Sequence, residues 1–288
     1  MRIAHAPSQL DRRPRAVAIG TFDGVHRGHR SVLRAAVESG LEPTVITLDP
    51  HPRIVLGNRV ELLTTLERRL ELLAEAGVTD TLVAAFTPEF MRLSPPEFVD
   101  TYLLAIGAEA VAVGGDFRFG SKRAGSVETL AELGLTVLGV DEVEGVSSSA
   151  IRDAVRDADL GAAAVMLGRP FELDGTVVAG DQRGGTLGYP TANIAMGPEL
   201  VCPRFGIYAG EALGHRAAVS IGTNPHYGGT ERRIEPYLLD FEGDLYGRRL
   251  VLELWERLRD EAVFPSEQAL IDQIARDVEA TRAAVRPL

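Results

Sequence analysis

The chain has 288 residues, 45% apolar and 25% charged, an ordinary globular composition that excludes wholesale disorder, fibrous repeats and disulfide-built mini-proteins. At about 100 to 200 residues per domain, the length predicts two domains, each with its own hydrophobic core. Thirty Lys and Arg against 41 Asp and Glu give a net charge of −11, which argues against a nucleic-acid partner but leaves room for local basic pockets that hold small anions.

Cys202 is the single cysteine, so an internal disulfide or a cysteine-based zinc site is impossible and a reducing cytoplasm is expected. No apolar run reaches the roughly 18 residues a membrane span needs, and the residues up to Arg15 lack the apolar core of a signal peptide. No membrane association and no obligatory protein partner are expected. The only lysine, Lys122, is followed by Arg123, so a phosphate loop ending in Gly-Lys-Ser/Thr is absent and any ATP chemistry uses another scaffold.

In chain order, short β-branched runs alternate with helical patterns through the first half. Strands are predicted at Ala16 to Ile19, Thr44 to Leu48, Thr81 to Ala85, Ala110 to Val113 and Leu135 to Leu138. Helices are predicted at Gly28 to Glu38, Thr65 to Ala76, Pro95 to Leu104 and Ser126 to Leu133. This alternation implies a Rossmann-like, doubly wound α/β sheet, whose ligands sit in the loops after Ile19, Leu48 and Val113. A helical segment at Ser149 to Val165 follows. Beyond Gly168, glycine- and proline-punctuated strands at Gly175 to Val178, Gly206 to Gly210, Arg216 to Ile221, Ile234 to Asp240 and Arg249 to Trp255 precede one helix, Ser266 to Val285. That pattern implies a small antiparallel β-barrel closed by a C-terminal helix, and divides the chain into residues 1–166 and 167–288.

Directly after the first strand, Gly20-Thr21-Phe22-Asp23-Gly24-Val25-His26-Arg27-Gly28-His29 places a glycine-containing turn before a helix start. Two imidazoles and the free N–H groups of a first helical turn can face one anion there, and donors so placed stabilise charge on a pentavalent α-phosphate. A pair of surface histidines or half of a metal site would read similarly. Ser147-Ser148-Ser149-Ala150-Ile151-Arg152 opens a later helix, where hydroxyls cap the helix or bond phosphate and Arg152 offers a forked cation for pyrophosphate. Taken alone, those serines are ordinary caps.

In the second half, Gly180-Asp181-Gln182-Arg183-Gly184-Gly185-Thr186-Leu187-Gly188 leads into Tyr189-Pro190-Thr191-Ala192-Asn193. Closely spaced glycines let backbone N–H groups curl around phosphate oxygens, and Thr191 and Asn193, two apart on an extended segment, face one side. Neutral oxygens beside a nucleotide suit Mg²⁺. A plain glycine-rich hairpin is the competing reading.

The first two motifs are similar to those of the nucleotidylyltransferase superfamily. With Thr47-Leu48-Asp49-Pro50-His51-Pro52-Arg53, Gly115-Asp116-Phe117-Arg118-Phe119-Gly120 and the run from Ser94 to Tyr102, the first half resembles the FMN adenylyltransferase part of bacterial bifunctional FAD synthetases, the riboflavin kinase/FMN adenylyltransferases. That resemblance implies ATP at Gly20, Phe22, Asp23, His26, Gly28, His29, Ser148, Ser149 and Arg152. It implies flavin at Asp49, Pro50, His51 and Pro52 and at Asp116, Phe117, Arg118 and Phe119. Thr21 stands where asparagine is usual and Leu48 where an aromatic is common.

The glycine-rich loop with Pro-Thr-Ala-Asn resembles the riboflavin kinase family, and Gly206-Ile207-Tyr208-Ala209, Ile221-Gly222-Thr223-Asn224-Pro225, Arg233-Ile234-Glu235 and Leu239-Asp240-Phe241 follow in family order. This implies kinase ATP contacts at Gly180, Arg183, Gly184, Gly188, Thr191 and Asn193, Mg²⁺ on Thr191 and Asn193, and Glu235 as general base. His226 and Tyr237 depart from the family pattern. The substrates implied are riboflavin, FMN and ATP. The alternatives are a paralogue with one active half, acting on a flavin analogue or another nucleotide, and a non-catalytic flavin-binding protein.

Overall fold

The computed structural model describes residues 1–180, 188–223 and 232–288. It divides into two compact units: Met1–Val60 with Leu66–Ser147, and Glu61–Thr65 with Ser148–Leu288.

The first unit is built on a six-stranded parallel sheet of β1 (Arg2–Ala4), β2 (Arg15–Gly20), β3 (Glu42–Asp49), β4 (Asp80–Ala85), β5 (Ala108–Gly114) and β6 (Thr136–Val140). The strand order is β1-β4-β3-β2-β5-β6. Successive residues of one strand enter different cores: Val17, Ile46, Val111 and Val113 join one cluster, and Ala16, Ala18, Val45 and Ala112 the other. Both sheet faces are therefore covered, which explains why these strands read as unbroken apolar runs. At the amino ends, fully buried Arg15 donates to Asp80 at 2.6 Å, to Thr44 Oγ1 at 2.7 Å and to the Ile106 carbonyl at 3.0 Å, tying several elements together.

The helices of this unit are α1 (Arg27–Glu38), α2 (Pro52–Val55), α3 (Leu66–Glu75), α4 (Pro88–Arg92), α5 (Pro95–Phe98) and α6 (Val127–Glu132). Three-residue β1, paired to β4 at the sheet edge, escaped the periodicity reading because it is too short to show alternation. The helix expected over Pro95 to Leu104 is regular only through Phe98. A π-turn at Val99–Leu103 and a 3₁₀ turn at Leu104–Ile106 follow, and Gly107 stops the run at φ +85°, where a Cβ would strike the Arg13 backbone.

The second unit contains a six-stranded antiparallel sheet of β7 (Phe171–Val178), β8 (Asn193–Ala195), β9 (Gly206–Ala212), β10 (His215–Thr223), β11 (Arg232–Leu238) and β12 (Arg249–Arg259). The order is β11-β10-β9-β12-β7-β8, and Ala192 N–H donates to the Pro236 carbonyl at 2.9 Å, drawing the two edges into a nearly closed barrel. The expected single helix over Ser149 to Val165 is two, α7 (Ser148–Arg156) and α8 (Leu160–Leu167). Ala158 sits at φ +60° between them, and the Asp159 carboxylate accepts from Ala162 N–H to cap the second. Ile151, Val155, Leu160 and Leu167 from these helices join the core of Leu173, Tyr208, Val219 and Leu252. The last helix, α9 (Glu267–Ala283), is held by Arg216, which donates to the Thr281 and Ala284 carbonyls and lies 5.2 Å from the Trp255 ring centroid.

Candidate active sites

In the first unit the sheet order places β2 beside both β3 and β5, which run on from it in opposite directions, so the loop after β2 opens at the point where the strand order reverses. Phe22 at φ +50°, Gly24 at +84° and Val25 at +40° turn that loop tightly into α1. His26 is the N-cap, and its Nδ1 accepts from the His29 backbone N–H at 3.2 Å. The two imidazoles stack at 3.6 Å between centroids with 14° between planes, and the Phe22 ring meets His29 edge-on at 5.2 Å.

At Gly28 a Cβ would stand 3.2 to 3.3 Å from the His26 ring, closer than packed atoms normally come. Phe22 and Asp23 are buried, and Gly20 ends β2 with the Phe22 ring against it. His29 Nδ1 is buried without a hydrogen-bond partner among the described residues. Burial, then the neighbouring His26, then the Arg69 cation hold the His29 imidazole well below its usual pKa, keeping it neutral.

Arg69 on α3 was not evident from the sequence. It is 1% exposed, lies near Asp23 and Asp49, and donates through Nη1 to the Leu48 carbonyl at 3.3 Å. Thr47 Oγ1 donates to the Thr21 carbonyl at 3.1 Å, joining the loops after β2 and β3. Because Thr21 and Leu48 contribute main-chain carbonyls to these contacts, their departures from the family pattern leave both bonds in place.

Asp49 ends β3, and Pro50 leads to buried His51, the N-cap of α2, whose Nδ1 accepts from Arg53 N–H at 3.2 Å; Pro52 is the first residue of that helix. After β5, Asp116 and Arg118 are exposed and Phe117 is half-buried. Phe119 is buried against Phe98 at 5.4 Å and stacks with Phe117 at 5.7 Å. These loops all leave carboxyl ends of strands. Ser148, Ser149 and Arg152 lie on α7 in the second unit, where buried Arg152 donates Nε to the Glu61 carbonyl.

The second unit carries a cavity of about 290 Å³ walled by Tyr189, Thr191, Ser220, Glu235, Tyr237 and Phe264. Strand alternation explains the wall: Ile234 and Leu238 enter the core, whereas Glu235 and Tyr237 point to the cavity, with Glu235 paired across the ladder with Ser220. Arg233 lies 3.8 Å from the Glu235 carboxylate. Arg259, Glu261 and Asp277 also line the cavity. Arg259 grips Asp277 through two bonds of 2.9 and 2.7 Å, and burial pushes the Glu261 carboxyl upward. None of these three was singled out from the sequence, since no motif marks the end of β12.

A neighbouring cavity of about 190 Å³ is lined by Val177, Thr191, Ala192, Leu238, Phe241 and Tyr246, so Thr191 borders both. Asn193 opens β8 with its amide packed over Gly180, where any Cβ would collide with it. Gly188 takes φ +86°. Arg183, Gly184, Asn224, Pro225 and His226 lie outside the described residues.

Two sites on unlike scaffolds, a histidine-bearing helix start above a parallel sheet and a carboxylate-lined barrel cavity, define a two-domain transferase of phosphorus-containing groups. The FAD synthetase family model matches residues 8–152 and the riboflavin kinase family model residues 167–285. The bifunctional riboflavin kinase/FMN adenylyltransferase of Listeria monocytogenes is 38% identical over 93% of this chain and 92% of that protein. Its Escherichia coli K12 counterpart is 37% identical over 96% and 95%. A solved structure from Streptococcus pneumoniae, described as a macrolide-efflux protein, matches with a TM-score of 0.87 at 30% identity, covering 98% of this chain and 99% of that one. No helix among the described residues is long and apolar enough to cross a membrane. The chain belongs to the bifunctional riboflavin kinase/FMN adenylyltransferase family and is an enzyme of two-step FAD synthesis.

Proposed function

We propose that the two reactions are divided between the domains 1–166 and 167–288, with riboflavin + ATP → FMN + ADP in the barrel and FMN + ATP → FAD + pyrophosphate on the parallel sheet. The observation that carries the kinase assignment is the position of Thr191 between two cavities, one bearing Glu235 and the other lined by Phe241 and Tyr246. Riboflavin occupies the first, its ring among Tyr189, Tyr237 and Phe264, and the nucleotide occupies the second. The Glu235 carboxylate takes the proton of the riboflavin 5′-hydroxyl as that oxygen attacks the γ-phosphorus and ADP departs. Thr191 and Asn193 offer neutral oxygens that fit Mg²⁺, an ion that draws most of its neutralising charge from phosphates; when bound it offsets charge on the transferring group. Gly180, Arg183, Gly184 and Gly188 are assigned to the phosphates of the same ATP.

On the parallel sheet, neutral His29 and its stacked partner His26 donate to the α-phosphate as the FMN phosphate oxygen attacks it and pyrophosphate leaves. The unpartnered Nδ1 of His29 supports this reading. Gly20, Phe22, Asp23 and Gly28 shape the loop that presents the two rings. FMN is assigned to Asp49 to Pro52 and Asp116 to Phe119. The family resemblance adds Ser148, Ser149 and Arg152 as groups serving ATP in FAD formation. A cytoplasmic location is supported by the single cysteine, Cys202, which leaves no internal disulfide to form.

Incubation with riboflavin, ATP and Mg²⁺, resolving FMN, FAD, ADP and pyrophosphate, tests the whole assignment. Both ADP and pyrophosphate are expected; ADP without pyrophosphate would remove the adenylyltransferase half.

A further inference from the structure

One face of α1 has no place in either reaction. Arg27, Arg30, Ser31 and Arg34 recur at the i, i+3, i+4, i+7 spacing that lines up a single helix face, and they border a groove of about 450 Å³ closed by Val37, Glu38, Ala76 and Val143. Among the described residues none of the three guanidinium groups makes an ion pair or side-chain hydrogen bond, and Arg30 Nε is buried without a partner. Nothing in the fold accounts for them. Neighbouring like charges on a helix face repel, and Arg27 and Arg30 sit at the amino end of α1, where the helix dipole disfavours cations. They accumulate, moreover, in a chain of net charge −11.

We infer that this groove is an anion site for a small molecule bearing two or three linked phosphates, separate from the His26 and His29 end of the helix. The arginine row spans about 10 Å along the axis, at 1.5 Å per residue, longer than a single phosphate and matched by a short polyphosphate. Guanidinium forks bind phosphate oxygens in pairs, and the Ser31 hydroxyl lies beside them. Glu38 ends the row with a repelling carboxylate, and Asp141, Glu142 and Glu144 flank Val143 in sequence. These acidic limits favour a compact anion over a nucleic-acid strand. The volume falls within the range of ordinary small-molecule sites.

The test titrates the full chain with inorganic pyrophosphate by calorimetry without added metal, beside R30Q/R34Q and R30K/R34K. Wild type is expected to take up one equivalent that R30Q/R34Q binds at least tenfold more weakly, with R30K/R34K in between. That equivalent should weaken as NaCl is raised from 50 to 300 mM, and orthophosphate should bind it at least tenfold less tightly. Both double variants should keep the wild-type FMN and FAD formation rates. If R30Q/R34Q proves unfolded by circular dichroism, R34Q alone, at an exposed position, carries the test with an expected loss of about threefold. Identical isotherms for wild type and folded Gln variants, or equal affinity for orthophosphate, would overturn the inference.

Discussion

The imidazole of His29 stacks on that of His26 at 3.6 Å while its own backbone N–H donates to His26 Nδ1, so each histidine positions the other. Loss of either ring disorders the pair, and replacement by Ala should lower FAD formation by about 10² to 10³-fold, the size of a lost transition-state donor. FMN formation, assigned to the other unit, should be nearly unchanged. Separate rates for both products check this, and equal loss of both would sink the two-site assignment.

The same burial gives His29 a pH signature. Its folded pKa lies well below the ordinary 6.5, so below pH 6.5 the unfolded chain takes up a proton that the folded chain does not. Stability due to this residue is therefore fully present above pH 6.5 and declines as pH falls toward the folded pKa. Urea midpoints of wild type and H29N between pH 7.5 and 5 should show a shallower decline for H29N. A parallel decline would refute it.

For Glu235, substitution by Gln keeps size and much of the hydrogen bonding but removes the base. We expect kcat for FMN formation to fall by about 10²-fold or more, with riboflavin and nucleotide affinities little changed. Turnover beside direct titration of each ligand decides it. Survival of turnover would mean that Glu235 is not the base.

The glycine at 180 gives a steric test of the Asn193 assignment. G180A places a methyl group into the Asn193 amide and must displace it. FMN formation should drop by tenfold or more while thermal unfolding of the second unit shifts little, because this contact lies outside the apolar core. An active G180A enzyme would show that the position of Asn193 is not required.

The packing of α8 predicts where the barrel can be cut. Leu160 is 1% exposed within the barrel core, so L160A should cost about 2 to 5 kcal/mol, read from chemical unfolding of the second unit. A fragment beginning at Ser148 should accordingly be more stable than one beginning at Leu167, which discards Ile151, Val155 and Leu160. Equal stability of the two fragments would show that α7 and α8 only decorate the barrel.

Much of this molecule is legible along the chain. The unbroken apolar runs of β2, β3 and β5 announce a sheet covered on both faces, and the motifs around His26, Asp49, Thr191 and Glu235 can be read because each is one short contiguous stretch of sequence. Local stretches of this kind carry their own geometry. What depends on distant neighbours does not show in the order of residues. Glu261, Arg259 and Asp277 line the same cavity as Glu235 only because β12 and α9 pack beside β11. Arg68 pairs with Glu71 and Glu75 of its own helix, whereas Arg69, one residue on, is fully buried and reaches the Leu48 carbonyl at the end of β3. One residue of helix turns a side chain by about 100°, and only the packing of α3 against the sheet decides which of two identical residues pairs along the helix and which is buried against the loops of the site.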